Sequence, residues 1–391
     1  MSKKTPSNEE QEQAHILHNS IVEHFSSADD PRRAGSICHK LFDILFITIC
    51  AVTCGANNLK AVAEYAKSKK QWLCNLLNLE HGVPSYNTIW LLFMVLRPKA
   101  LQDCFSSWMK DMAKLLKGKV TAIDGKAQRG TANPEKPNSF VHIVSAWSSH
   151  NQLTLGQVKV EGKSNEITAI PKLLKMIDVK GSIVTIDAMG CQKDIAAEIR
   201  AQGADYVLAL KGNQGSLYDE IENLFVQMKP NGQEGLDYDK YEEHEKHHGR
   251  EEHRIVYATD ELDFLPQKDA WKDLQSVVCV CSERTIKGKT SLEDRYYISS
   301  LPSSAQELAS HIRSHWGIEN CAHWTLDVAF REDEQRAKAG HIPENLSLLR
   351  RISLNCLKQD KSVKAGIEIK RQKAGWDNDY LLSLLNVKSF S

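Results

Sequence analysis

The chain has 391 residues, with 50 Lys and Arg against 50 Asp and Glu, so its formal net charge at pH 7 is zero. Hydrophobic residues make up 41% and charged residues 26%, which is the composition of an ordinary globular protein long enough for about two or three domains. These values exclude a uniformly basic nucleic-acid coat, an acidic disordered tail and a supercharged surface.

No segment is apolar over the roughly 18 residues that a membrane helix requires. The first residues, MSKKTPSNEEQEQ, are polar and contain no apolar signal core. The sequence therefore predicts a cytoplasmic protein without a membrane partner.

The N-terminal part of the chain is predicted to be helical. Residues 1–35 are polar and are expected to be partly disordered, whereas apolar residues recur at helical spacing through residues 36–118. Pro84-Ser85 before Tyr86 predicts a capped helix start. Two helices across this tight turn could form a DNA-binding helix-turn-helix, although most such pairs are only packing units.

At Val120 the pattern changes to short strands. VTAID (120–124), FVHIVSAW (140–147) and LTLGQVKV (153–160) predict three successive strands. Further strands at 182–187 and 205–210 then alternate with helices at 166–177, 191–202 and 215–228. This order predicts a ribonuclease H-like α/β core whose first part covers residues 119–229, with the later strands parallel.

The remaining segments complete the predicted domain organisation. Strand-like runs at 253–259, 275–282 and 294–301 predict a β-rich insertion over residues 230–301. A core helix is expected within residues 302–335, and a basic helical region over 336–391. The insertion also holds His244, His247, His248 and His253, but these lack a CxxC or HExxH frame, so a zinc site is disfavoured.

Two acids stand at the ends of predicted strands: Asp124 in Ile-Asp-Gly-Lys and Asp187 in Ile-Asp-Ala-Met-Gly. An aspartate at the point where an apolar strand leaves a sheet is partly desolvated, which is unfavourable unless a cation lies against it. Either residue alone could merely cap the next turn. Two such acids on the first and fourth strands of one sheet favour a shared metal site.

A third carboxylate is expected from a helix later in the chain. On a regular helix, His315, Glu319 and His323 share one face at i, i+4 spacing, with Ile312 and Trp316 packed behind them. We favour Glu319 as the third acid. Three acids nearby remain as alternatives: Asp327, Glu332 and Asp333.

Three carboxylates around two Mg²⁺ ions are typical of phosphodiester hydrolysis and strand transfer. One ion activates the attacking water or 3′-hydroxyl and the other stabilises the leaving oxygen, about 4 Å away. Hard oxygen ligands favour Mg²⁺, or Mn²⁺ in its place, over zinc. No nucleotide cofactor is expected, because Gly212-Asn-Gln-Gly215 lacks the Lys-Ser/Thr of a P-loop.

Several polar side chains are candidates for contacts with DNA phosphates. Five are expected in loops beside the strand ends: Lys126, Arg129, Lys163, Lys211 and Asn213. Arg250 and Arg254 would lie on a DNA-facing strand of the insertion. A single basic residue is about as often a solvated surface charge, so each assignment leaves that alternative open.

Long motifs resemble the H-repeat-associated (ISAs-type) insertion-sequence transposases over roughly residues 30 to 360. The strings include AIDGKAQRG, IVTIDAMGCQ, DYVLALKGNQ and HWGIENCAHWTLDVAFREDE. These relatives are DDE transposases with a ribonuclease H-like core, so the resemblance implies that Asp124, Asp187 and Glu319 are catalytic and bind the metal ions. It also implies a nucleoid-associated bacterial enzyme that acts as a homodimer on double-stranded DNA, cleaving element ends and joining them to a target.

The chain departs from the wider superfamily around the third acid. Related transposases place Tyr and Arg before the glutamate and Lys after it, whereas this chain has Ile312, His315 and Leu326 at those positions. His315 could replace the arginine as a phosphate contact.

Two other functions are compatible with the sequence, namely a domesticated or inactive DNA-binding derivative and a stand-alone nuclease of the same fold. The intact acids argue against an inactive derivative. The zero net charge is a sum of unlike segments: residues 336–373 carry ten Lys and Arg against three acids, whereas 219–263 carry fourteen acids against five bases. We therefore expect a positive face beside the three acids, with the surplus of acids turned elsewhere.

Overall fold

The computed structural model of the chain describes residues 21–33, 35, 37–115, 120–133, 135, 139–161, 165–231, 237–247 and 249–385. Lys163, one of the predicted phosphate contacts, lies outside these residues. Within them, no helix combines the length and the apolar character needed to cross a membrane.

The N-terminal region is helical, as predicted. Its helices are α1 (Leu41–Thr53), α2 (Leu59–Ser68), α3 (Lys70–Leu77), α4 (Tyr86–Val95) and α5 (Pro98–Leu115). The Ser85 hydroxyl accepts the Thr88 N–H at 3.2 Å, which confirms the predicted cap of α4. The outer side of α4 exposes Leu91 and Val95 and is therefore apolar.

The central part of the chain alternates strands and helices in the predicted order. Its elements are β1 (Val120–Gln128), β2 (Val141–Ser148), β3 (Leu153–Lys159), α6 (Glu166–Leu174), β4 (Ile183–Ile186), α7 (Lys193–Ala201), β5 (Asp205–Leu210) and α8 (Ser216–Asn231). The strands are ordered β3-β2-β1-β4-β5, with β1 antiparallel to β2 and parallel to β4. This arrangement confirms the ribonuclease H-like core.

The β-rich segment extends the same sheet. It contains β6 (Asp239–His247), β7 (Arg250–Thr259), β8 (Ser276–Ile286) and β9 (Lys289–Ser299). Because β9 pairs with β5 in antiparallel fashion, the sheet has nine strands in the order β3-β2-β1-β4-β5-β9-β8-β7-β6. The sequence did not predict β6, whose run YEEHEKH lacks apolar alternation and forms the outermost strand.

Helices follow the last strand and cover the core. They are α9 (Ala305–Gly317), a π-helix (Ile318–His323), α10 (Trp324–Val328), α11 (Ile342–Gln359), α12 (Ile367–Trp376) and α13 (Asn378–Leu385). Most of α11 is buried, polar residues included. Its Ser353 hydroxyl bonds the Thr53 hydroxyl of α1 at 3.1 Å and so joins the C-terminal and N-terminal helices.

Part of the basic excess of the C-terminal region is internal. Arg350, Arg351, Lys370 and Arg371 are all buried, with exposed fractions of 6% or less. Arg351 pairs with Glu332 at 2.8 Å, and Lys370 Nζ lies 3.2 Å from an Asp360 oxygen. These four buried side chains therefore do not supply the positive face expected beside the three acids.

Candidate active site

Asp124 and Asp187 lie close together where the pairing of the neighbouring parallel strands β1 and β4 ends. Ile123 of β1 is paired with Ile186 of β4, and an aspartate follows each isoleucine. Asp187 Oδ1 also accepts the backbone N–H groups of Met189 at 3.1 Å and Gly190 at 3.3 Å. Asp187 thus caps the following turn and faces the site at the same time.

A third acid beside these two was not predicted. Glu166 is the first residue of α6, and one oxygen each from Asp124, Glu166 and Asp187 lies within 4.8 Å of the other two. Oε1 of Glu166 is 2.8 Å from Nε2 of His142 on β2. An acid in the first turn of a helix is ordinarily stabilised by the helix dipole, so nothing in the sequence distinguishes Glu166 from other acids at helix starts.

Gly125 provides the space in which Glu166 approaches Asp124. A Cβ atom at this position would lie 2.6 Å from Nε2 of His142 and would overlap Oε1 of Glu166. The glycine of the Ile-Asp-Gly-Lys string therefore belongs to the construction of the acidic cluster.

The acidic cluster is electrostatically suited to a cation. Burial raises the pKa of Asp124 to about 7, and the carboxylates of Asp187, Glu166 and Glu319 contribute to the rise. Burial and the Glu166 charge also raise the pKa of Asp187, and the positive charge of Lys211 partly offsets this rise. Buried like charges are unfavourable without a counter-ion, and a donor set made only of oxygen atoms fits a hard divalent cation such as Mg²⁺.

Glu319 lies beside this cluster, on a helical segment that is not a regular α-helix. The prediction of a regular helix that places Glu319 on an i, i+4 face is wrong, because Ile318–His323 form a π-helix. The Glu319 side chain is exposed, and its charge is near enough to Asp124 to raise that residue's pKa. Single-turn π-helices are often found at functional sites. Nδ1 of His323 lies 3.5 Å from Oδ2 of Asp124.

His315 is placed differently from the expectation. Its Nδ1 lies 3.0 Å from the Thr185 hydroxyl of β4, and burial lowers the pKa of His315 to about 4. The uncharged ring joins α9 to the sheet, which contradicts its predicted role as a cationic phosphate contact. Trp316 does not pack behind Glu319 either, because it is 37% exposed under the Arg295 guanidinium, 4.8 Å from the ring centroid.

Each of the three alternative acids is bonded to another residue of the chain. Oδ2 of Asp327 is 2.6 Å from Nζ of Lys126, Glu332 is buried against Arg351, and Asp333 accepts the Arg129 backbone N–H at 3.0 Å. The assignment of Glu319 as the third acid remains a prediction. Lys126 is only 8% exposed and lies inside β1, so the predictions that it occupies a loop and contacts a phosphate are wrong.

The other candidate DNA contacts fall into two groups. Arg129 and Lys211 are exposed, and the Asn213 amide donates to the Ala188 carbonyl at 2.8 Å. Arg250 and Arg254 lie on β7, and each is paired with glutamates of the insertion, Glu252 among them. Their contacts with DNA remain predictions.

Arg250 and Arg254 line a cavity of about 610 Å³ that lies between the strands of the insertion and α9 and extends to Glu319. Its wall contains five arginines and five glutamates. Glu243, Glu245 and Glu252 are among these glutamates, so the expectation that the surplus of acids is turned elsewhere is wrong for these three residues.

Comparison with known proteins identifies the class. Residues 116–356 match the family model described as the transposase DDE domain, and residues 22–109 match the model of its associated domain. The chain therefore belongs to the DDE transposase family.

Within this family the chain is similar to H repeat-associated proteins of Escherichia coli (strain K12). It is 40% identical to YhhI over 373 residues, which are 93% of this chain and 97% of YhhI. It is 40% identical to YbfD over 245 residues, 63% of this chain and 96% of YbfD. The resemblance inferred from the sequence is confirmed. A solved piggyBac transposase synaptic complex with hairpin DNA overlaps 98% of this chain and 84% of that chain, with a TM-score of 0.47 and 10% identity.

Proposed function

We propose that the protein is a transposase that binds the double-stranded ends of an insertion sequence, cleaves the phosphodiester there and joins the freed 3′-hydroxyl to target DNA. The observation that carries this proposal is the cluster of Asp124, Glu166 and Asp187 in a DDE-family chain, with Glu319 beside it.

The four carboxylates would hold two Mg²⁺ ions, for which Mn²⁺ is expected to substitute. When bound, the ions would activate the attacking water or 3′-hydroxyl and stabilise the leaving oxygen. Two contacts within the chain support this assignment. His142 orients Glu166 through the 2.8 Å contact, and the N–H groups of Met189 and Gly190 fix the Asp187 carboxylate.

Exposed cations beside the acids would position the DNA backbone. Lys211 and Arg129 are suited to phosphate contacts, and the Asn213 amide holds the Lys211 loop against the turn after β4. Arg250 and Arg254 would exchange their glutamate partners for phosphates if a strand entered the cavity. Two element ends must be brought together, so we propose a homodimer on DNA.

Cleavage of linear DNA that carries the element's ends, with and without Mg²⁺, tests the proposal. We expect the wild-type protein to cut with Mg²⁺, and the Asp124→Asn, Asp187→Asn and Glu166→Gln variants to bind the ends without cutting. Asp263→Asn is a matched control, because that side chain is 98% exposed. Undiminished cleavage by Asp187→Asn would refute the assignment of the site.

The same assay separates the proposal from its two alternatives. An inactive DNA-binding derivative would bind and never cut. This alternative has a precedent among the relatives, since an inactive transposase, YbfQ of Escherichia coli (strain K12), is 36% identical over 69 residues, 18% of this chain. A stand-alone nuclease would cut but would fail to join pre-cleaved ends to a target.

A further inference from the structure

Three metal-ligating side chains meet on the ribbon formed by the two outermost strands. One ligand atom each of Glu242, His244 and His253 lies within 4.8 Å of the other two. His244 is directly opposite His253 in the register of β6 and β7. Glu242 lies two residues before His244, so both side chains leave the same face of β6.

The ligand atoms of this group are close enough together to converge on a single ion. Oε1 of Glu242 lies 2.6 Å from Nε2 of His253 and 3.4 Å from Nε2 of His244. The two imidazole rings are stacked, with centroids 3.9 Å apart and planes 9° from parallel. A metal with bonds of about 2.1 Å separates its ligand atoms by roughly 3.0–3.4 Å. An imidazole nitrogen binds a metal in the plane of its ring, so metal binding requires the two stacked rings to turn out of their parallel arrangement until both nitrogens point at the ion.

Neighbouring charges hold these ligands in place. Nζ of Lys240 lies 3.3 Å from Oε2 of Glu242 and leaves Oε1 directed at the imidazoles. An oxygen of Glu283 lies 3.9 Å from Nδ1 of His253, the ring nitrogen that faces away from Glu242. At this distance Glu283 places a negative charge beside the imidazole without a direct hydrogen bond to it.

We propose that Glu242, His244 and His253 bind one Zn²⁺ ion, with water completing the coordination. This proposal reverses the expectation from the sequence, because His244 and His253 are brought together by the pairing of β6 with β7 and not by a local CxxC or HExxH frame. Two imidazoles and one carboxylate favour zinc over Mg²⁺, which prefers oxygen ligands like those of the Asp124 cluster. The His244 side chain is 69% exposed, so ions and water reach the site directly from solvent.

The ion would join the outermost strand to its neighbour. Among the residues that the structure describes, β6 is the terminal strand of the sheet and pairs only with β7. The ligands lie on the face of the ribbon opposite to Glu243 and Arg254, which line the cavity beside α9. Bound zinc would therefore hold β6 in place without entering the cavity, and amide hydrogen exchange along residues 239–247 should slow.

Calorimetric titration of the full chain with Zn²⁺, in excess Mg²⁺ to occupy the oxygen-only cluster, tests this proposal. We expect the wild-type protein to bind Zn²⁺ at a site whose affinity is at least tenfold lower in His244→Ala, His253→Ala and Glu242→Gln. Two controls should bind as the wild type does. His150→Ala removes an exposed histidine from the turn between β2 and β3. Glu251→Gln removes a carboxylate from the same ribbon, where Glu251 pairs with Lys246.

Hydrogen exchange with and without Zn²⁺ locates the bound ion independently. Slower exchange in β6 of the wild type and the controls, and not in His253→Ala, is the expected result. Equal Zn²⁺ affinity in the wild type and His253→Ala, or no binding by the wild type, would overturn the proposal. Neither readout involves DNA cleavage, so the outcome is independent of the proposed transposase activity.

Discussion

Arg351 and Glu332 form an ion pair sealed from solvent, with Nη1 2.8 Å from Oε1 and exposed fractions of 1% and 0% for the two side chains. Nε of Arg351 also donates to the Ser145 hydroxyl at 3.2 Å, and Ser145 is paired with Asp124 across β1 and β2. Helix α11 is thereby linked, through Ser145 on β2, to β1, the strand that carries Asp124.

Breaking this pair should strongly destabilise the protein. In Arg351→Met the Glu332 charge would be buried without its partner, and the free energy of unfolding should fall by about 3–5 kcal/mol. Urea denaturation measures the change. The exposed pair of Lys99 and Asp103 is the control, because its side chains are 83% and 59% exposed, and Lys99→Ala should change stability by less than about 1 kcal/mol. Equal effects of the two substitutions would contradict the structural role of the buried pair.

Gly125→Ala should impair the site while the protein stays folded. The added methyl group would displace the Glu166 carboxylate and His142, so Mg²⁺-dependent cleavage should fall by about 10- to 100-fold. Gly366→Ala is the matched control, because no atom lies within 4 Å of the position of its added Cβ. Cleavage at the wild-type rate by Gly125→Ala, with circular dichroism unchanged, would show that Glu166 is not needed where the structure places it.

The sequence predicted those parts of the fold that local patterns determine. The apolar runs of β1, β4 and β5 are buried strands, and an aspartate after such a run is visible without coordinates. This is why Asp124 and Asp187 could be brought together before the structure was known.

Features that depend on tertiary contacts could not be predicted. Glu166 resembles any acid at a helix start until β1 and α6 are seen side by side, and Lys126 resembles a loop cation until Asp327 is placed 2.6 Å away. Strand β6 is charged or polar except for Tyr241 and is recognised only by its pairing with β7. The π-helix around Glu319 likewise has no periodicity that separates it from a regular helix.

Glu319 and Asp327 should respond to substitution in opposite ways. Glu319→Gln removes an exposed carboxylate, so cleavage should be lost while stability stays within about 0.5 kcal/mol of the wild type. Asp327→Asn leaves the buried Lys126 ammonium without its counter-charge and should cost about 1–3 kcal/mol of stability.

Cleavage by Asp327→Asn, assayed at a temperature at which the variant stays folded, should be retained. Parallel cleavage and urea unfolding measurements on both variants check this pair of expectations. The reverse pattern, with cleavage lost only in Asp327→Asn, would reassign the third acid.

In the metal-free protein, the ionised carboxylate of Asp124 should lower the free energy of unfolding. Burial raises the pKa of this carboxyl to about 7, above its ordinary value of 3.8. Between these two pH values the native state binds a proton that the unfolded state has released, so the stability contribution of Asp124 falls as pH rises through that window. Asp124→Asn should therefore stabilise the metal-free protein near pH 8, by at most about 4 kcal/mol, and much less near pH 5. Urea unfolding in EDTA at both pH values measures the difference, with Asp263→Asn as the exposed control. A gain of the same size at both pH values would show that the substitution acts through packing and not through the charge.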